Sequence, residues 1–258
     1  MERNILLSFD VEEFDLPAEY GVEIPVEKQL AVSYEGLKKI EALLKDTKVV
    51  ATLYTTAFFA ENFRAAMQSL AAHHEIASHT YYHGKFHTAD LLSSRQCIEN
   101  ITGKKISGLR MPRMQAVDST LVTQAGYTYN SSINPTWVPG RYNNLTAKRT
   151  LSSAKGLTTL PLSVSPFLRL PLFWLAFKNL PYSVFLKAAI RTLKHDGYLH
   201  LYFHPWEFTN LAEYRIPAYI KKLNGDELLN RLQQLLNDLA NEGIFTGTSG
   251  FIENYKSL

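Results

Sequence analysis

An α/β barrel is the fold this sequence predicts, and three observations predict it. Short apolar runs alternate with amphipathic ones along the chain, the rhythm that builds a parallel sheet with helical crossovers. About seven such units follow one another with no repeat and no low-complexity linker, the pattern of one barrel. At 258 residues, 46% of them hydrophobic, the chain is long enough to bury one sizeable core.

ILLSF (5–9) is a short apolar strand, and SYEGLKKIEALLKD (33–46) has helical apolar spacing, with Ser33 placed as its cap. VVATLYTT (49–56), rich in β-branched residues, is the second strand, and AENFRAAMQSLAAH after it is a helix. HEIASHT (74–80) is the third strand. TADLLSSRQCIENITG (88–103) is a helix that Thr88 caps and Gly103 stops. SGLRMP and then VDSTLVTQAGYTYNSS repeat the unit, the helix ending at Gly126. GLTTLPLSV and YLHLYFHP read as strands, GDELLNRLQQLLNDLANEG as a helix, and GIFTGT as a last strand. One region, 134–186, is irregular. Pro135, Pro139, Pro161, Pro166, Pro171 and Pro181 lie among aromatics there, an elaborated loop or an insertion over one mouth of the barrel. Within it LRLPLFWLAFKNLPYSVF (168–185) is either a loop packed over the barrel or a lid that touches lipid or a hydrophobic carrier. Residues 1–258 are read as a single domain.

Composition removes several functions. A net charge of +3 is far from the dense basic stripe of a nucleic-acid binder. No helix-length apolar run lacks both charge and proline, so no spanning segment is expected. Residues 1–15 lack the basic start and apolar centre of a signal peptide, because Glu2 and Asp10 interrupt them. The lone Cys97 excludes an internal disulfide. The default expectation is a cytoplasmic protein.

Active sites of parallel barrels lie at the C-terminal ends of the strands, and four clusters fall there. LLSFDVEEFD (6–15) runs apolar residues into Asp10, Glu12, Glu13 and Asp15. In an extended chain Asp10 and Glu12 share a face and Glu13 points away. Either the acids form a solvated loop or something positive sits among them. HTYYH sets His79 and His83 just past the third strand, and two histidines four apart can face one ligand from a helical turn. With a carboxylate they make a three-ligand set that leaves a position open for water. The alternative is a chance surface pair, as His73, His74 and His87 are read. LRMPRM puts Arg110 after a short strand, where a guanidinium orients an acid such as Asp10 or forms a plain surface salt bridge. Arg113 is read as an exposed neighbour. In YLHLYFHPWEF, His200, Tyr202 and His204 share one strand face. His204, at the strand's end, suits proton donation to a leaving group. Trp206 can stack on a sugar or fill the core, and His200, deeper in, is read as structural.

These clusters, in this order, resemble the polysaccharide deacetylases with the NodB homology domain (carbohydrate esterase family 4), over about residues 5–255. FDVEE resembles a variant of the family's acidic motif, and VVATLYTTAFFAEN (49–62) its second strand and helix. HTYYH resembles the metal motif, GLRMP the arginine-proline motif, and YLHLYFHP the final strand. ENITGKKISGLRMP and QAGYTYNSSI also follow the family's phrasing. The resemblance implies a distorted (β/α)7 TIM-like barrel with Asp10 as base, His79 and His83 as metal ligands, Arg110 orienting Asp10, and His204 as general acid. Family members commonly place an aspartate next to the base, but Val11 stands here, so the third ligand falls to Glu12, with Glu13 as second candidate. The aspartate and tryptophan that tune the final histidine are replaced by Asn130 and Trp137 in NSSINPTW, leaving that relay weakened or supplied elsewhere, as by Glu207. Tyr81 and Trp206 are candidate substrate contacts, and a backbone N–H near Tyr81 or Met111 a candidate oxyanion donor.

The implied reaction is removal of N-acetyl (or O-acetyl) groups from a carbohydrate, with one divalent ion, zinc first, because two imidazoles and a carboxylate suit its open site. The substrate expected is a cell-envelope polysaccharide intermediate on a nucleotide or lipid carrier. Two rivals stand beside this reading. One is a metal-independent hydrolase of small non-peptide C–N bonds, such as cyclic ureides, against which the paired histidines argue. The other is a non-catalytic glycan-binding barrel, against which Asp10 and His204 argue.

Overall fold

NILLSFDV forms strand β1 (Asn4–Val11), buried along its whole length after Asn4, as the middle strand of a parallel sheet must be. The computed structural model describes residues 3–256; positions 1, 2, 257 and 258 of the expected 1–258 domain lie outside the described residues. After β1 come α1 (Val26–Thr47), β2 (Thr52–Thr55), α2 (Ala57–Asn62), α3 (Arg64–Leu70), β3 (Glu75–Ser78), α4 (Asp90–Thr102), β4 (Gly108–Leu109), α5 (Ser119–Gln124) and β5 (Tyr129–Asn130). The hairpin β6 (Trp137–Val138) and β7 (Tyr142–Asn143) follows, then β8 (Ser152–Ala154), β9 (Leu157–Thr159), α6 (Trp174–Asn179) and α7 (Tyr182–Asp196). The chain ends through β10 (Tyr198–Phe203), α8 (Ala218–Lys221), α9 (Gly225–Ala240), β11 (Ile244–Phe245) and α10 (Thr248–Lys256).

The main sheet runs β10-β1-β2-β3-β4-β5-β9-β8, and every pairing from β10 to β9 is parallel. Only β8 is antiparallel to its neighbour, and β11 pairs with the first residues of β1. The sheet curls until the chain after β9 meets β10, where Ser163 N donates to His200 O at 3.0 Å and His200 N donates to Ser163 Oγ at 2.8 Å. The expected (β/α)7 barrel is thus the fold found, its ring completed by this contact rather than by a full ladder. Alternation along β1 sorts the residues. Ile5, Leu7, Phe9 and Val11 join the core shared with the helices, whereas Leu6 packs with Tyr54, Ala77, Tyr129 and Tyr198 in a second cluster. Ser8 and Asp10 share the alternate face of Leu6, so the acid arrives at the mouth of the barrel.

Several element boundaries differ from expectation. Helix α1 starts at Val26, behind Pro25, not at Ser33. Pro25 presets the helical entry, and Ser33 lies buried in mid-helix with its hydroxyl unbonded. The single helix expected after β2 is broken at Phe63. Thr88 does not cap α4; Asp90 Oδ2 accepts the His87 N–H instead, while Gly103 stops the helix at φ +67° as expected. The region 134–186 is not a loop: it holds a hairpin, the β8–β9 pair, α6 and the start of α7, with Pro181 opening α7. Phe173, Trp174 and Phe177 turn into the core, but Phe167 and Leu168 are 71% and 90% exposed. No described helix is long and apolar enough to cross a membrane.

Candidate active site

Arg110 follows β4, and its backbone N–H extends the ladder to Ser78 O at 2.9 Å. The side chain is wholly buried in the barrel mouth, packed 3.9 Å from the Tyr54 ring centre. All five of its N–H groups find acceptors. Nη1 donates to Asp10 Oδ1 at 2.6 Å and Ser8 Oγ at 3.0 Å. Nη2 donates to Ser131 Oγ and His200 Nε2, both at 3.0 Å, and Nε donates to Ser131 O at 3.2 Å. His200 therefore accepts through Nε2, which leaves its proton on Nδ1, 3.3 Å from Pro161 O. Burial and the neighbouring guanidinium push its pKa well down, so the ring is neutral. Burial works against the charge of Arg110, but Asp10 together with Tyr54 and Tyr202 outweighs it and raises the pKa. Removing one partner of such a buried pair costs about 3–5 kcal/mol.

Two residues beyond Asp10, Glu12 Oε2 lies 3.0 Å from His79 Nε2 and 3.1 Å from His83 Nε2. All three side chains are buried, and their donor atoms lie within 4.8 Å of one another. The far nitrogens are spoken for. His79 Nδ1 donates to Arg110 O at 2.8 Å, which turns Nε2 toward Glu12. His83 Nδ1 sits 2.6 Å from Asp15 Oδ1. A carbonyl or carboxylate behind each ring is the support that metal-binding histidines have. Two imidazoles and one carboxylate with an open side fit a divalent ion such as zinc. Burial disfavours the Glu12 carboxylate, but His83, His204 and His79 outweigh it and hold its pKa far below the usual range. Burial likewise opposes the His83 imidazolium, yet Glu12 and Asp15 carry its pKa up to about 9.

Glu13 turns the other way. Thr56 Oγ1 donates to its Oε2 at 2.6 Å and His83 N to its Oε1 at 3.4 Å; burial raises its pKa, and its oxygens are not among the converging donors. The helical turn expected for HTYYH is absent too. Thr80 adopts φ +64°, and the Thr80 and Tyr81 carbonyls accept the Ala57 and Phe58 N–H groups at the start of α2. Arg113 is no bystander: it donates to Glu19 at 2.7 Å, Asp15 at 2.8 Å and His83 O at 2.9 Å.

His204 stands just past β10, with Nε2 3.9 Å from Asp10 Oδ2 and 4.0 Å from Glu12 Oε1. Glu207 Oε1 accepts the His204 backbone N–H at 2.7 Å and faces Nδ1 at 3.0 Å. Behind it, Glu207 Oε2 is 2.9 Å from Lys178 Nζ, and both side chains are fully buried. Burial raises the Glu207 pKa, but Lys178 and His204 outweigh it and lower it; for His204 burial opposes the charge and Glu12 and Glu207 prevail, raising it. The Pro205–Phe208 turn that carries Glu207 is seated on α1, where a Cβ on Gly36 would come within 1.8 Å of Pro205 O.

Trp206 is 2% exposed, stacked on His204 at 4.8 Å and packed on Phe14 at 5.2 Å, and its indole N–H donates to Glu12 Oε1 at 3.2 Å. It also lines the cavity shared by Asp10, Glu12 and His204. Tyr81 points off the site, its hydroxyl donating to Glu61 at 2.9 Å. The Met111 N–H is not a free oxyanion donor, because Ser132 Oγ accepts it at 2.8 Å. Nor does NSSINPTW tune His204: Asn130 Oδ1 accepts from Ser132, and Trp137 is 58% exposed on the hairpin. The sequence missed Asp15, Lys178 and Trp174, which edges onto His204 at 5.2 Å. Asp10, Glu12, His83, His204, Tyr202 and Trp174 line a cavity of about 80 Å³.

Residues 32–130 match the polysaccharide deacetylase family model. The match covers less than half of the chain. The matched span holds His79, His83 and Arg110, while Asp10, Glu12 and His204 lie outside it. That span is similar to the polysaccharide deacetylases. Three solved structures share its fold. One from Mycobacterium smegmatis, assigned as a polysaccharide deacetylase, is 16% identical with a TM-score of 0.65, over 98% of this chain and 90% of that one. The PuuE allantoinase is 16% identical with a TM-score of 0.66 over the same shares, 98% and 90%. One from Pseudomonas aeruginosa PAO1, also assigned as a polysaccharide deacetylase, is 16% identical with a TM-score of 0.63, over 96% and 88%. At these identities the likeness is one of fold. Comparison with curated proteins gives no match.

Proposed function

We propose that this chain is a metal-dependent hydrolase that removes N-acetyl, or O-acetyl, groups from a carbohydrate intermediate of cell-envelope polysaccharide synthesis. One observation carries the reading: Glu12 Oε2 faces Nε2 of both His79 and His83, with Asp10 and His204 beside it. A divalent ion held by Glu12, His79 and His83, zinc first, would polarise the acetyl carbonyl and acidify the attacking water. Asp10, aimed by Arg110, takes the proton from that water as it attacks the carbonyl carbon. His204, aimed by Glu207, gives a proton to the departing amine nitrogen as the C–N bond breaks. Loss of either Asp10 or His204 lowers the rate by about 10²–10⁴-fold.

A carrier-linked sugar on the cytoplasmic side is the substrate we favour. Exposed Phe167 and Leu168 support it, because Arg191 sits 5.2 Å from the Phe167 ring centre and Lys187 and Lys194 lie on the same helix. An apolar tip beside cations suits a membrane surface. The fold is shared with an allantoinase, so the fold alone does not separate sugar amides from small cyclic amides. The buried three-donor set favours the metal-dependent reading, and the presence of both Asp10 and His204 disfavours a silent glycan-binding barrel.

The test is metal analysis of the purified protein beside a His79→Ala/His83→Ala variant, with acetate release followed on N-acetylglucosamine oligomers and on carrier-linked sugars. About one divalent ion per chain, lost in the variant together with acetate release, is the expected result. A metal-free wild type with undiminished turnover refutes it. Equal rates on free and carrier-linked sugars refute the carrier.

A further inference from the structure

We infer that Lys178, from helix α6, is a positioning residue for proton delivery by His204, acting through Glu207. The inference rests on the reading of His204 as general acid. Lys178 Nζ contacts Glu207 Oε2 at 2.9 Å, donates to Ile220 O at 3.0 Å, and lies over the Trp174 and Trp206 rings at 5.3 and 5.7 Å. Those same two indoles clamp His204, one edge-on at 5.2 Å and one stacked at 4.8 Å. An ammonium group is costly to bury, and it persists where a partner compensates. Here that partner is one carboxylate, and the carboxylate's other oxygen is spent on His204.

The geometry runs in one direction. Glu207 Oε1 holds both the backbone N–H and Nδ1 of His204, which points Nε2 toward Asp10 at 3.9 Å. Glu207 Oε2 has no hydrogen bond; the ion pair with Lys178 is its compensation. Without the ammonium, that oxygen would be buried with no counter-charge. The carboxyl group would then rotate, take a proton or draw in water, and each of these releases Nδ1. The charged groups facing His204 are Asp10 from β1, Glu12 just past it and Glu207 from its own turn, with Lys178 behind Glu207. Lys178 thereby ties the 134–186 region to the proton donor.

Leaving-group dependence separates this role from a structural one. An amide needs a proton on nitrogen as the C–N bond breaks, whereas 4-nitrophenyl acetate loses a stable phenolate as its C–O bond breaks and needs none. Full-length Lys178→Met should lose about 10–10²-fold in kcat on an N-acetylglucosamine oligomer, with KM and metal content little changed. Its rate on 4-nitrophenyl acetate should stay within about twofold. If Lys178→Met fails to fold, Lys178→Met/Glu207→Gln removes both charges together and should show the same selective loss. Equal losses on both substrates, or a double variant with full amide activity, overturn the inference. His204→Ala is the control on the underlying reading: a loss confined to the amide upholds it. An equal loss on both substrates overturns that reading and the Lys178 role with it.

Discussion

Gly36 lies on α1 and brings no side chain to the site, yet its replacement should lower turnover about 10²-fold. A Cβ built there meets Pro205 O at 1.8 Å and Pro205 C at 2.5 Å, both backbone atoms that cannot rotate away. Ordinary contact begins at 3.4 Å, so helix and turn must part by about 1.6 Å in Gly36→Ala. Overpacking of this kind costs about 1–3 kcal/mol, which for a chain of this size lowers Tm by on the order of 2–12 °C. The displaced turn carries Glu207 and follows His204 directly, and a misplacement of about 1 Å in a catalytic group costs about 10²-fold in rate. Glu12, His79 and His83 sit on other segments, so the metal content should hold. Thermal unfolding, metal analysis and acetate release on the same Gly36→Ala preparation test this. Unchanged Tm and unchanged kcat would refute the claim that α1 seats the proton donor.

Two further outcomes follow from the donor set. Glu12→Gln should weaken metal binding by more than about 100-fold, whereas Glu13→Gln, whose carboxyl faces Thr56, should retain the ion; metal loss in the Glu13 variant alone would reverse the assignment. In the metal-free protein His83 titrates at about 9, so below that pH a binding ion must displace its proton. Affinity should therefore fall about tenfold per pH unit on acidification from pH 9. The metal-free fold runs the other way: the raised pKa adds stability fully present below the ordinary 6.5 and lost as pH rises through 9. Chelator competition and metal-free unfolding across pH 6–9 check both slopes, and an affinity flat across that range contradicts the first.

Much of the barrel was legible because strand periodicity is a local property. The alternation in NILLSFDV alone puts Phe9 and Val11 against helices and Asp10 in the barrel mouth. The misreadings came where one residue type serves two purposes. Ser33 precedes an apolar-periodic run and so looks like a cap, but Pro25 had already opened the helix. The prolines of 134–186 look like loop punctuation, but Pro181 starts a helix of 15 residues. Proline breaks a helix interior and favours its first turn, and spacing alone does not say which.

The site divides along the same line. Asp10, Glu12, His79, His83, Arg110 and His204 are visible because each lies at or shortly past the C-terminal end of a strand, where a barrel gathers its chemistry. What supports them is visible only when it is near in sequence. Glu207 is three residues from His204 and could be suspected from that spacing alone; Asp15 and Arg113 meet His83 only in space. Lys178 is the extreme case, since a lysine in an apolar, aromatic segment reads as the charge that interrupts a span. Its full burial against Glu207 is a fact of tertiary packing that no pattern within 168–185 encodes. Direct contacts with a reacting group are thus constrained by fold position, while the groups that hold them are constrained only by leaving no buried charge unpaired. Such a constraint can be met from any element that reaches the pocket, which is why Lys178 comes to light only in the structure.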